Sequence, residues 1–340
     1  MTRSRWLALA AIVTGVGLAG GALYVTRAPR PPALAVDAIP ADAFAAIDVH
    51  LDALRRSGAL SALFGASGEQ SVTKACGFDP VDRMHEIVFA LPETGDGDFG
   101  VAVQADLGKD ELLACARKVI ETRGGATSTD VATRGTYTVV AQRLPPGDAR
   151  LRPALAYRDG GPYLVGVGEW LGKMIDAVER PSASAAPDPH AALRKSLSGP
   201  AGTSFAVTGT VVLLKSIREK VRAQMIGEGE SLSDSGAATM AGILAISSAA
   251  IGLYEQGDQV RAVAELVCED AAACTAVQKF LLRKQDTWSK DPKLRLFGVA
   301  TALDHLEIDH HDAHLEVRAS APTVQVVQWV KAVLEPRPPP

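Results

Sequence analysis

Four of the seven histidines fall within ten residues, in Asp304-His-Leu-Glu-Ile-Asp-His-His-Asp-Ala-His314, together with three aspartates and one glutamate. Imidazole and carboxylate are the donors that suit zinc, copper or nickel. His305, His310, His311 and His314 are therefore candidate metal ligands, in a metal-binding or metal-dependent hydrolytic protein. In a hairpin, alternation places His305, Glu307 and Asp309 on one strand face and His314, Glu316 and Arg318 on the facing strand. Leu306, Ile308, Leu315 and Val317 then turn inward. Arg318 opposes a cation on that polar face, and the same residues equally describe a solvated hairpin with a histidine-rich turn.

Other chemistry is thin. His50 and His85 precede or flank predicted strands and read as strand-edge histidines. There is no H-E-x-x-H and no G-x-S-x-G. Ser235 lies in a polar stretch without a base at a telling distance. Gly166-Val-Gly-Glu-Trp-Leu-Gly172 lacks the Lys-Ser/Thr ending of a P-loop and misses the G-x-G-x-x-G spacing, so it reads as a strand end entering a helix. A catalytic carboxylate pair cannot be picked from 39 acids by spacing alone. No catalytic residue and no cofactor follow from these patterns.

The four cysteines, Cys76, Cys115, Cys268 and Cys274, are an even number. In an oxidising compartment they read as up to two disulfides. Cys268 and Cys274 are close enough for a local bridge, which leaves Cys76 and Cys115 to each other; four buried thiols are the alternative. The absence of C-x-x-C disfavours a ribbon-type zinc site.

The compartment is set by the N-terminus. Trp6 to Val25 is an uncharged, mostly apolar run flanked by Arg3, Arg5, Arg27 and Arg30. Twenty residues at about 1.5 Å each match a bilayer core of about 30 Å. The run exceeds a typical signal-peptide core, and Ala33-Leu34-Ala35 is a poorly placed cleavage site, so an uncleaved anchor is favoured over a cleaved signal. The arginines in front orient the N-terminus inward. The expectation is a single-pass protein of a bacterial inner membrane with its bulk in the periplasm. Residues 1–30 carry four arginines and no acid, which leaves 31 basic against 39 acidic side chains outside, a net charge of −8. That balance argues against nucleic acid and anionic lipid surfaces as partners.

These elements must position any site. The expected plan is a short cytoplasmic tail at 1–5, the transmembrane anchor at 6–25, a Pro-rich linker at 26–40, a first α+β module at 41–180, a linker at 181–190, a second module at 191–335 and a disordered tail at 336–340. Both modules run strand and helix, hairpin, helix, hairpin, helix, so the chain reads as an internal repeat. Helices opening at Lys109 and Glu269 align Cys115 with Cys274, and helices at 169–179 and 323–334 close the halves. The fold class is α+β, each module a mostly antiparallel sheet with helices on one face. Ala237 to Tyr254 holds no charge. Its serines and glycines, and its place in the repeat, assign it to a helix plus a strand rather than a second span.

Asp48-Val-His-Leu-Asp-Ala-Leu-Arg55 and Cys76-Gly-Phe-Asp-Pro80, with the order of elements, resemble uncharacterised membrane-anchored bacterial cell-envelope proteins of the domain-of-unknown-function type. The resemblance implies an extracytoplasmic α+β protein and brings no catalytic residue. The combined expectation is a non-catalytic binding, scaffold or adaptor protein with an envelope protein partner. The alternative is a binder of an apolar ligand or lipid, which would require a pocket under the Trp170 or Thr323 helix.

Overall fold

The computed structural model describes residues 33–57, 69–93, 98–122, 129–143, 153–179, 188–197, 199, 203–213, 215–216, 218–219, 244–296 and 299–334. The anchor stretch 6–25, residues 181–187 of the 181–190 linker and the tail 336–340 lie outside them, while residues 188–190 of that linker cap and open a helix. Among the described residues no helix is long and apolar enough to cross a membrane. The chain divides into two compact units: Met1–Asp52 with Phe64–Ala186, and Ala53–Leu63 with Pro187–Pro340.

The first unit is an antiparallel sheet. Its strands are β1 (Ala45–His50), β2 (Met84–Leu91), β3 (Gly100–Ala105), β4 (Thr129–Arg134), β5 (Tyr137–Gln142), β6 (Pro153–Tyr157) and β7 (Tyr163–Val167). Their order is β1-β2-β3-β7-β6-β5-β4. The helices here are α1 (Leu51–Ser57), whose first two residues belong to this unit, α2 (Glu69–Cys76), α3 (Lys109–Thr122) and α4 (Trp170–Glu179).

Helices on one face were expected; this sheet is covered on both. The reason is in β2 and β3, whose Ile87-Val-Phe-Ala90 and Val101-Ala-Val103 are apolar at consecutive positions and expose apolar side chains to either side. One face, with Ala46, Val88, Ala90, Ala102 and Leu164, packs under α4 and the 3-10 turn Ala35–Ala38. The other, with Ile87, Phe89, Val101, Val103 and Val165, packs against Leu112, Leu113 and Ala116 of α3. Gly100 and Gly166 face each other across β3 and β7 directly beneath α4. A Cβ on Gly100 would run into the Met174 sulfur and the Trp170 ring, and one on Gly166 into the Leu171 backbone. The missing side chains let the helix settle against the sheet, where Trp170 Nε1 donates to the Ala90 carbonyl at 3.0 Å.

The second unit is also antiparallel. It contains α5 (Pro189–Ser196), β8 (Val207–Val212), β9 (Ile246–Gln256), β10 (Gln259–Cys268), α6 (Ala271–Ser289), α7 (Pro292–Leu296), α8 (Val299–Asp304), β11 (Glu307–His311), β12 (His314–Pro322) and α9 (Thr323–Leu334). Its order β8-β9-β10-β12-β11 corresponds to β1-β2-β3-β7-β6; the β5-β4 hairpin is an addition in the first unit. The uncharged stretch ending at Tyr254 runs into β9, which pairs with both β8 and β10. β8 ends at Val212, because Val207-Thr-Gly-Thr-Val-Val212 favours the extended, β-branched pattern. Gly257, at φ +66°, makes the tight β9–β10 turn that only a residue without a Cβ accepts readily.

Covering helices lie on both faces here too. Leu193 and Leu197, at the end of α5, pack with Ala250, Tyr254 and Val263. Cys274, Val277 and Leu281 of α6 pack with Leu266, Leu315 and Val317. Asp188 caps α5 by accepting from the His190 N–H, and Asp270 caps α6 by accepting from the Ala273 N–H at 2.7 Å.

Candidate functional site

The histidine-rich segment does form a hairpin, but its register divides the four candidates. His311 pairs with His314, and Asp309 with Glu316. Their exposed face also carries Glu307 and Arg318, which are paired too. His310 lies opposite Leu315 on the other face, and its Nε2 is buried without a hydrogen-bond partner among the described residues. His305 stands in the turn before β11. Three nearby acids are already engaged: Arg318 ion-pairs with Asp309 and with Glu316, and His314 Nδ1 lies 2.6 Å from Glu265 Oε1 on β10. The structure brings His311 and His314 together and leaves His305 and His310 apart from them.

The cysteines form two bridges. Cys76 on α2 joins Cys115 on α3, and Cys268 at the end of β10 joins Cys274 in α6.

A polar group that the sequence reading passed over lies inside the first unit. Alternation puts Ala46, Asp48 and His50 on one face of β1. Register places Glu86 of β2 opposite His50, and Gln104 of β3 opposite Glu86. Asp48, His50 and Glu86 offer ligand atoms all within 4.8 Å of one another. His50 Nε2 lies 3.2 Å from Asp48 Oδ2. Asp48 is 4% exposed and Glu86 8%. Asp48 Oδ1 and Gln104 Oε1 are both sealed from water with no hydrogen-bond partner among the described residues. The backbone of Ala35, in the 3-10 turn, reaches the Glu86 carboxylate.

The electrostatics follow from that burial. Loss of water, and then the neighbouring Asp48 charge, push the Glu86 carboxyl up to about 7. The hydrogen bond that His50 donates to the Asp48 carboxylate raises His50 above the ordinary imidazole value. On the rim, His85 bridges two acids, with Nε2 2.8 Å from Asp106 and Nδ1 3.0 Å from Asp52. Asp106 first, then Asp52, raise its pKa. The one sequence signal for the buried group was Asp48 two residues before His50, which in a strand puts both on one face.

The second unit holds a cavity of about 300 Å³. Its floor is Leu253, Val260 and Val207 on the sheet; Val326 and Val327 of α9 form one wall, and Ala53 and Leu54 of α1 another. Arg56 and Glu255 stand at its edge. Thr323 fastens α9 beside it: its N–H donates to the Asp258 carbonyl, and its single hydroxyl proton is in reach of Glu255 Oε1 at 2.9 Å and of that carbonyl at 3.1 Å. A pocket under the Thr323 helix is where an apolar ligand was expected. The Trp170 helix instead packs on the paired glycines.

The sequence matches no family model and no curated protein. Among solved structures, crystal form III of TP0453 shares 10% identity at a TM-score of 0.49, covering 90% of this chain and 100% of that one. Crystal form I shares 9% at 0.46, with 90% and 100% covered. Crystal form IV shares 10% at 0.47, with 88% and 96% covered. Similarity at this level carries no argument about function.

Proposed function

We propose that this chain is a non-catalytic, single-pass envelope protein that binds a protein partner outside the inner membrane through the apolar cleft of its second unit. The cleft carries the reading. It opens between α1, the sheet and α9, and apolar side chains line it while Arg56 and Glu255 mark the edge. An apolar floor with a few charges at the rim is the anatomy of a contact site. The two disulfides agree with an oxidising compartment, and the Trp6–Val25 run supplies the tether.

A second reading uses the same cleft for an apolar ligand or lipid chain. Its volume favours this, since it reaches the lower end of small-molecule pockets, about 300 Å³.

A photoreactive residue replacing Arg56 in the full-length membrane-bound chain separates the two. A protein adduct that vanishes when Ala206→Phe fills the cleft supports the first reading. An adduct that leaves with the organic extract, and is lost in the same variant, supports the second. No adduct, or one indifferent to Ala206→Phe, overturns both. Protease added to spheroplasts should digest the bulk of the chain; protection until lysis would overturn the periplasmic placement.

A further inference from the structure

We propose that Asp48, His50 and Glu86, with Gln104 beside them, bind a divalent cation of the zinc–manganese class. The proposal is independent of the cleft and of whatever occupies it.

Two carboxylates and an amide oxygen are gathered on the inner face of β1, β2 and β3. Two of these oxygens, Asp48 Oδ1 and Gln104 Oε1, are closed off from water and receive no hydrogen bond among the described residues. Buried polar atoms in folded proteins are rarely left so, because an unpaired one forfeits its hydration without replacement. Among the described residues no lysine or arginine forms an ion pair with Asp48 or Glu86. A divalent cation would neutralise both carboxylates at once and give each orphaned oxygen an electrophile. The metal-free arrangement pairs the Asp48 and Glu86 carboxyls through a shared proton and turns the Gln104 amide to donate; it binds no ion, and the dialysis below separates it from the proposed site.

The backbone already holds the donors in place. Asp48 and His50 are two apart on one strand, and Glu86 and Gln104 sit at successive cross-strand positions level with His50. Donors on a tetrahedral zinc lie about 3.4 Å apart at ordinary Zn–N and Zn–O lengths, so the present spread within 4.8 Å has to contract by roughly an ångström, through rotation of the side chains on a fixed backbone. The 3-10 turn Ala35–Ala38 covers the Glu86 side, where the Ala35 backbone reaches the carboxylate, while the half-exposed His50 leaves the site open to solvent. One imidazole among oxygen donors selects zinc or manganese over calcium or magnesium, which prefer oxygen alone. The site lies where β1 runs into α1, so a bound ion would tie β1 to β2 at the point where the chain leaves the sheet.

The test is equilibrium dialysis of the chelator-treated full chain against zinc chloride, manganese chloride and calcium chloride in turn. One equivalent of zinc or manganese should bind, and calcium should not. Glu86→Gln and Asp48→Asn should each weaken binding by more than about tenfold. The double variant His311→Ala/His314→Ala should leave it unchanged. Hydrogen exchange on the unaltered protein is a second reading that needs no variant to fold: saturating zinc should slow exchange in β1 and β2. No saturable binding, binding that survives Glu86→Gln, binding lost with the hairpin histidines, or zinc protection confined to β11 and β12 would each overturn the proposal.

Discussion

The two disulfides close loops of very different size, and that difference is measurable. Cys76 and Cys115 are separated by 39 positions, Cys268 and Cys274 by 6. If a cross-link acts mainly by restricting the unfolded chain, the long loop contributes about 4 kcal/mol and the short one about 2 kcal/mol. The gap, about 1.7 kcal/mol, is worth more than tenfold in an unfolding equilibrium. Replacing cysteines would mix this with packing loss, because Cys268 and Cys274 are both in the core of the second unit. The clean comparison keeps the sulfurs. In a Cys268→Ala/Cys274→Ala background, oxidised and reduced protein differ only at Cys76–Cys115; the reciprocal background isolates the other bridge. Hydrogen exchange along a denaturant series reads each unit separately, so neither transition has to stand for the whole chain. Reduction should move the first unit about twice as far as it moves the second. Equal shifts, or a larger one for the short loop, would refute the loop argument and point to native-state strain or denatured-state structure.

Two further outcomes follow from the packing of the first unit. Gly100→Ala places a methyl group against Met174 and Trp170, both in the core, and should cost about 1–3 kcal/mol of that unit's stability; Met174→Ala should cost less in that background than in the wild type, and additivity in a denaturant-measured double-mutant cycle would contradict the close approach. Tyr137 is fully buried, and burial pushes its phenol up to about 12, so the stability it contributes is complete below the ordinary tyrosine value near 10 and is lost as pH rises toward 12. Its phenolate absorbance should therefore emerge only with alkaline unfolding of the first unit, and titration near 10 in the folded protein would be the contrary result.

Much of the architecture was legible because it depends on short-range pattern. Lys109–Thr122, Trp170–Glu179 and Thr323–Leu334 repeat apolar residues at helical spacing, and each forms a helix within two residues of the expected limits. Hairpin turns carried Gly and Asp where the chain must reverse. Thr129–Gln142 folds back at Gly135 into β4 and β5, a reversal that alternation alone does not mark. Helices on both faces were missed in the first unit because β2 and β3 are apolar at consecutive positions and were read simply as strands.

The two candidate sites show the same boundary between local and nonlocal information. Histidines crowded into His305–His314 drew attention because they are neighbours in the chain, yet pairing His310 with Leu315 turns it away from His311 and His314. Asp48, His50, Glu86 and Gln104 span more than fifty positions, and nothing along the chain links β1 to β3. By itself the sequence determined the element types, a hydrocarbon-length stretch near the N-terminus and an even set of cysteines, since each depends on spacing or composition within a short window. Spacing also paired the cysteines as the structure has them, Cys268 with Cys274 and Cys76 with Cys115. Only the tertiary structure decided which acids lose their water and where an apolar cleft opens. Those outcomes depend on strand register and on which residues cover which face, and a shift of one residue in register would send the strand side chains to the opposite side.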